Sequence, residues 1–262
     1  MKKIWNSFKI AFSMYSKIPM PKSDWTKENM SYAMIFFPWI GAVIGILMVG
    51  IYKLKMWCLL ENVPIAPWTF TVLFLVLPVF LTGGIHLDGF LDTQDAIHSY
   101  QPKEKKLEIL KDPHAGAFAI LSCEIYFLCA TAIYASVSEK SIQVIALGFV
   151  LSRILSGLSV VSFPQAREKG LAATFSENAR KKTVRTVLFI YLVLVCGWMV
   201  CGFGIQGTCA VIAAGVMFLY YYYMSRKNFG GITGDLAGYF LQMCELLIAA
   251  AAVFADIIVG SF

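Results

Sequence analysis

The sequence predicts an all-α fold, a polytopic membrane helical bundle of about seven transmembrane helices preceded by a short interfacial helix. Three observations predict it. Of 262 residues, 58% are hydrophobic and 15% charged, with mean hydropathy +0.69; soluble domains average about 45–50% apolar and about 25% charged. Apolar runs lie near 33–54, 66–84, 115–137, 141–163, 186–204, 207–224 and 236–259, each close to the roughly 20 residues that a helix needs to cross hydrocarbon. Lysine and arginine cluster in alternate connections between those runs.

The N-terminal stretch MKKIWNSFKIAFSMYSKIPMPK has its apolar run broken by Asn6, Ser7, Lys9 and Lys17, with no small-residue cleavage site after it. It reads as an amphipathic helix in the membrane interface rather than a signal peptide. The first span carries Pro38, Gly41 and Gly45, which membrane helices tolerate when neighbours satisfy the freed backbone.

The second span runs into the polar stretch Gly83–Gly116, GGIHLDGFLDTQDAIHSYQPKEKKLEILKDPHAG. If Asp88 to His98 is helical, Asp88, Asp92 and Asp95 stand at i, i+4 and i+7, within roughly a 60° arc of one face. Carboxylates crowded in this way raise each other's pKa unless a cation sits between them. Hard oxygen ligands suit Mg²⁺, which binds a few carboxylates and then substrate phosphates. A solvated acidic face is the plain alternative, and the position at the end of a membrane segment weighs against it. Further on, Pro102 opens a short helix running to Asp112, and Pro113 stops it. Glu108 and Asp112 fall at i and i+4 on it. Lys105, Lys106 and Lys111 either neutralise phosphate or keep the helix soluble. Gly116 opens the third span and permits close approach of backbone or ligand.

Glu124 in the third span and Arg153 in the fourth both lie roughly 13–15 Å below the surface. Equal depth makes them a plausible pair, and intramembrane charges are functional candidates by default; a purely structural ion pair is the alternative. The last long loop, FGGITGDLAG at 229–238, surrounds Asp235 with four glycines, and such a turn can present amides to a phosphate. Gln242 falls at i+7 from Asp235, with Glu245 one turn beyond. His86, His98 and His114 match no metal spacing. His98 and His114 read as loop residues, and His86 stands out beside Asp88. The seven cysteines form no CxxC and read as buried free thiols. With no repeat or low-complexity linker, residues 1–262 are expected to form one integral-membrane domain. No basic aromatic patch of the kind a nucleic-acid binder needs is present.

Positive charge sets the orientation. Lys2, Lys3, Lys9, Lys17, Lys22 and Lys27 precede the first span, and Lys103, Lys105, Lys106 and Lys111 follow the second. Arg167, Lys169, Arg180, Lys181, Lys182 and Arg185 follow the fourth, and Arg226 and Lys227 the sixth. The positive-inside rule places the N-terminus and all three polar loops in the cytoplasm, so they share one face. The expected location is the cell membrane, multi-pass, with the active site on its cytoplasmic side.

HLDGFLDTQDA followed by LEILKDPHAG closely resembles the signature of the cobalamin synthase family, the adenosylcobinamide-GDP ribazoletransferases. YSKIPMP at 15–21, FFPWIGAVIG at 36–45, LSRIL around Arg153, AREKGLAATF at 166–175 and GGITGDLAG at 230–238 match it in order. Ala96 and Ala119 replace expected glycines, Ser16 a threonine, and Gln242 a carboxylate. The resemblance implies a Mg²⁺-dependent membrane enzyme that joins adenosylcobinamide-GDP to α-ribazole or its 5′-phosphate and releases GMP. Its partners are these small molecules and the lipid bilayer; a homo-oligomer is compatible with it. By this resemblance Asp88, Asp92, Asp95 and Asp112 hold metal and carry catalysis, with Asp112 or a helix aspartate as base. His86, Gly89, Lys111, Gly116, Arg153, Arg167, Asp235 and Glu245 bind substrate. HxDGxxDxxD is also similar to the CDP-alcohol phosphotransferases, a likeness of motif alone; Asp92-Thr93 stands where that family has Ala-Arg. A cation transporter is the rival from another class, and the absence of a second aspartate-rich copy counts against it.

Overall fold

A computed structural model describes residues 2–168 and 170–260, so Lys169 lies outside the described residues. They form eleven helices and no strand: α1 Lys2–Tyr15, α2 Lys27–Met30, α3 Ala33–Leu60, α4 Pro67–Thr82, α5 Ile85–His98, α6 Lys103–Ile109, α7 Ala117–Ala135, α8 Glu139–Ser162, α9 Leu171–Asn178, α10 Lys181–Phe229 and α11 Gly234–Gly260.

Five helices are long and apolar enough to cross a membrane, and the bent pair α4–α5 makes a sixth. The 49-residue α10 accounts for a further pass. It breaks at Gly204, whose φ of 56° and ψ of −122° are not helical. Arg185 Nη2 donates to Val161 O at 2.7 Å, while Phe163 packs on Phe218 with ring centroids 5.2 Å apart. Arg185 and Phe218 therefore meet the same end of α8, although a straight helix would hold them roughly 50 Å apart. The two arms of α10 are antiparallel, and with them counted separately the candidate spans number seven, as the sequence predicts.

α8 lies at the centre and is the most buried span. Gly41 and Gly45 of α3 press on it; a Cβ at Gly45 would stand 2.5 Å from Ala146 O, and one at Gly41 would collide with Phe149 O. Small residues at such crossings let membrane helices gain dispersion contacts along their backbones. At the end remote from the aspartates, Asp256 accepts from Ser138 Oγ and, at 3.0 Å, from Gln206 Nε2. This ties the start of α8 and the hinge of α10 to the end of α11. α1 lays Ile10, Ala11 and Phe12 inward against α3, with Phe8 edge-on to Phe36 at 5.5 Å.

The polar stretch departs from α4 by a sharp turn. Gly83 and Gly84 have φ of 67° and 78°, a left-handed conformation that costs glycine nothing. α5 consequently runs at 95° to α4, across the bundle rather than along it. The helix expected from Pro102 to Asp112 ends at Ile109, because Lys111 and Asp112 N bond to Glu108 and Ile109 O in tight turns. Asp112 thus lies in a turn, off the Glu108 face. His98 is the last residue of α5, not a loop residue: its Nδ1 lies 2.9 Å from Gln94 O and its ring stacks on Phe118.

Candidate active site

The site is built where α5 crosses α11. A Cβ on Gly89 would stand 2.7 Å from Asp235 O, and one on Gly238 would stand 2.8 Å from His86 O. The two backbones touch at these glycines, and this contact draws Asp235 of α11 alongside Asp88 of α5. Gly89, expected as a substrate contact, is occupied with packing.

Four carboxylates then act on a fifth. Asp92 stands in the combined field of Asp88, Asp235, Asp95 and Asp112, with Asp88 acting most strongly. Their individual settings differ. Asp88 is exposed, and Asp235 Oδ2 accepts from Thr233 Oγ1 at 3.3 Å. Asp95 accepts from Gly116 N at 2.5 Å and from Ala119 N at 2.9 Å. It therefore caps α7, whose own N-cap residue, Gly116, has no side chain to do so. Gly116 is needed there because a Cβ would meet Asp95 Oδ1 at 2.6 Å. Asp112 is exposed and turned to His114, with Oδ1 3.0 Å from its N and 2.8 Å from its Nδ1. The backbone N–H, then the ring, hold the Asp112 carboxyl below its usual range. Among the described residues no three side chains converge tightly enough to enclose an ion by themselves. The arrangement is an open acidic rim.

Behind the rim lies a cavity of about 290 Å³, reached by α1, α3, α5, α8, α9 and α11. Its lining includes Tyr15, Phe37, His86, Asp88, Ser156 and Asp235. His86 is buried, 6.1 Å from the Tyr15 ring and 5.8 Å from the Phe37 ring. Tyr15, Phe37, Ser156 and Thr233 were not singled out from the sequence, although Tyr15, Phe37 and Thr233 stand inside the quoted motifs YSKIPMP, FFPWIGAVIG and GGITGDLAG.

A smaller cavity of about 130 Å³ adjoins Asp235 and is lined by Gln165, Arg167 and Thr233. Arg167 Nη2 donates to Leu107 O, and its buried Nε has no protein partner. The segment bearing it is pinned to the GGITGD loop by Ala166 N to Ile232 O and Ile232 N to Pro164 O, both 2.9 Å. Lys111 is exposed, Lys105 pairs with Glu108 at 2.8 Å, and Lys106 Nζ donates to Asn228 Oδ1 at 2.9 Å.

The pairing expected for Arg153 is corrected. Its partner is Glu245, at 2.6 Å, with further bonds to Phe149 O and Ser152 Oγ. Glu124 is on the outward face of α7. Arg153 is 1% exposed, held between the Phe37 and Phe149 rings, and does not line the 290 Å³ cavity. Arg153 and Glu245, both expected at the substrate, are here committed to one another.

The family described as cobalamin-5-phosphate synthase matches residues 7–253. A curated relative from Lachnoclostridium phytofermentans is 45% identical over 96% of this chain and 94% of its own. One from Clostridium perfringens strain SM101 is 36% identical over 94% and 96%, and one from Desulfitobacterium hafniense is 32% identical over 96% of each. All three carry the name adenosylcobinamide-GDP ribazoletransferase. No solved structure matches the chain.

Proposed function

Because the chain belongs to the cobalamin-5-phosphate synthase family, we propose that its acidic rim catalyses the reaction for which its relatives are named. The chain is a multi-pass membrane transferase of late cobalamin synthesis, joining adenosylcobinamide-GDP to α-ribazole or its 5′-phosphate and releasing GMP. The observation that carries the reading is the α5–α11 crossing, which assembles Asp88, Asp92 and Asp235 beside a cavity from motifs far apart in sequence.

Asp88 and Asp92 are the residues to hold Mg²⁺, with Asp95 and Asp112 at the edge of the same field. Their fit rests on the crowding itself: carboxyls that raise one another's pKa are relieved by a hard cation. When bound, the ion neutralises the pyrophosphate and stabilises the entering and leaving oxygens. The rest falls to the chain. Arg167, beside Asp235 in the wall of the smaller cavity, offers its guanidinium to a phosphate oxygen, as a guanidinium does well. Asp235, at the wall of the cavity, accepts the proton of the ribazole hydroxyl. That oxygen attacks the cobinamide-linked phosphorus, and the bond to GMP breaks. Asp112 is less suited to be the base, since His114 occupies it on the exposed side. Positive charge supports a cytoplasmic site in the cell membrane.

The test is the purified protein in liposomes with adenosylcobinamide-GDP and α-ribazole. Adenosylcobalamin and GMP are expected in equal amounts, abolished by chelation, restored by Mg²⁺ or Mn²⁺ and poorly by Ca²⁺. No product from either α-ribazole or its phosphate would overturn the function, and full activity after exhaustive chelation would overturn the metal.

A further inference from the structure

The 290 Å³ cavity has a chemistry more selective than its volume suggests. Pockets for small ligands run to about 300–1,000 Å³, so this one lies at the lower end. A corrin ring with its amide arms is several times larger than a benzimidazole nucleoside and cannot enter. The walls are mostly apolar, with Tyr15 and Phe37 providing aromatic faces of the kind that pack on flat rings. Asp88 and Asp235 are its only carboxylates among the described residues. Buried within the wall, His86 Nε2 has no hydrogen-bond partner, and His86 is 4% exposed. A buried nitrogen left in this way costs stability unless a ligand completes it.

We propose that this cavity is the acceptor pocket. It holds the benzimidazole of the ribazole, with the His86 ring turning so that its covered Nε2 reaches the ring nitrogen that does not carry the sugar, and it turns the ribose toward Asp88 and Asp235. This rests on the transferase reading above and adds to it a place for each substrate. The small acceptor enters the bundle, while the corrinoid stays outside and reaches the aspartates with its pyrophosphate alone. It also gives α1 and the start of α3 a function: they close the pocket with Tyr15 and Phe37.

Three variants test it. Ser156→Leu and Ala172→Leu fill the cavity from α8 and α9. Each is expected to raise KM for α-ribazole at least about tenfold, while KM for adenosylcobinamide-GDP stays within about twofold. His86→Phe keeps a ring between Tyr15 and Phe37 but removes Nε2. The wild type is expected to prefer α-ribazole to the corresponding indole riboside, which lacks the free ring nitrogen, by about tenfold in kcat/KM. His86→Phe should abolish that preference. Thermal melts identify any variant that fails to fold, and equilibrium dialysis of α-ribazole against wild type and Ala172→Leu gives a readout without turnover. An inactive wild type that still binds α-ribazole, and loses it in Ala172→Leu, would sink the reaction and leave the pocket standing. An active wild type with an unmoved KM for α-ribazole in both leucine variants, or a His86→Phe that retains the indole discrimination, would sink the pocket and leave the reaction standing.

Discussion

At Asp92, the neighbouring carboxylates crowd one another, and a hard cation relieves such crowding. Mg²⁺ is therefore expected to raise the melting temperature of the wild type, and Asp92→Asn to shrink that rise. Melts of both proteins in chelator and in Mg²⁺ decide it; an equal Mg²⁺ shift in the variant would mean that the ion binds elsewhere. Arg153 and Glu245 form a buried pair to test. Removing one partner of a buried ion pair typically costs about 3–5 kcal/mol, whereas replacing both by apolar groups can be neutral. Glu245→Gln and Arg153→Met should each lower the melting temperature, and Arg153→Met with Glu245→Leu should melt above either single variant. If the double variant melts below both, the pair is not what holds these side chains.

Helix α5 explains why the three aspartates differ. Their common face is legible in the i, i+4, i+7 spacing, and so is the likeness of their chemistry. That Asp95 caps α7 is not legible, because its partners lie 21 and 24 residues on, across a turn and a short helix. Asp88→Asn and Asp92→Asn are expected to cost about 10²–10³ in turnover, the cost of losing one preorganised electrostatic contact, with melting little changed. Asp95→Asn should lower melting as well, because an amide keeps one acceptor oxygen and turns its NH₂ toward the other backbone N–H; Asp95→Ala, which loses the cap, should cost about 0.5–2 kcal/mol. Equal melts for all three would remove the capping role. The partner of Arg153 escaped for a related reason. Depth along a span can be counted from sequence, and Glu124 has the right depth. Rotation about the helix axis is set by packing, and it turns Glu124 outward while Glu245 faces inward. The α5–α11 crossing is the other feature hidden in sequence, since GG and GD read as a phosphate turn until Gly89 is seen against Asp235. Gly89→Ala and Gly238→Ala each place a methyl within 2.8 Å of a carbonyl oxygen, and the helices must part. Turnover should fall in both, with adenosylcobinamide-GDP still bound through the remaining site; wild-type rates would show that the crossing yields without moving Asp235.

Across the whole molecule, the count of passes was legible because each apolar run is close to the length of a span, and α10 shows how. The apolar runs 186–204 and 207–224 are barely separated in sequence, and in the structure only the break at Gly204 parts the two arms of Lys181–Phe229. The first arm begins with Lys181, Lys182 and Arg185 and the second ends with Arg226 and Lys227. Were α10 a single crossing, these basic clusters would face opposite compartments; as a hairpin it returns both to the aspartate side. This is open to measurement with single cysteines in a chain freed of its native seven, since Cys129 and Cys201 are exposed. Cysteine at Asn62 or Lys140, both exposed at the remote end, should react with a membrane-impermeant maleimide in intact cells. Cysteine at Gln101, Lys181 or Arg226 should react only after permeabilisation. Labelling of Lys181→Cys and Arg226→Cys from opposite sides would break the hairpin. Labelling of both from outside would invert the protein and set the acidic rim against the wrong compartment for a nucleotide-linked substrate.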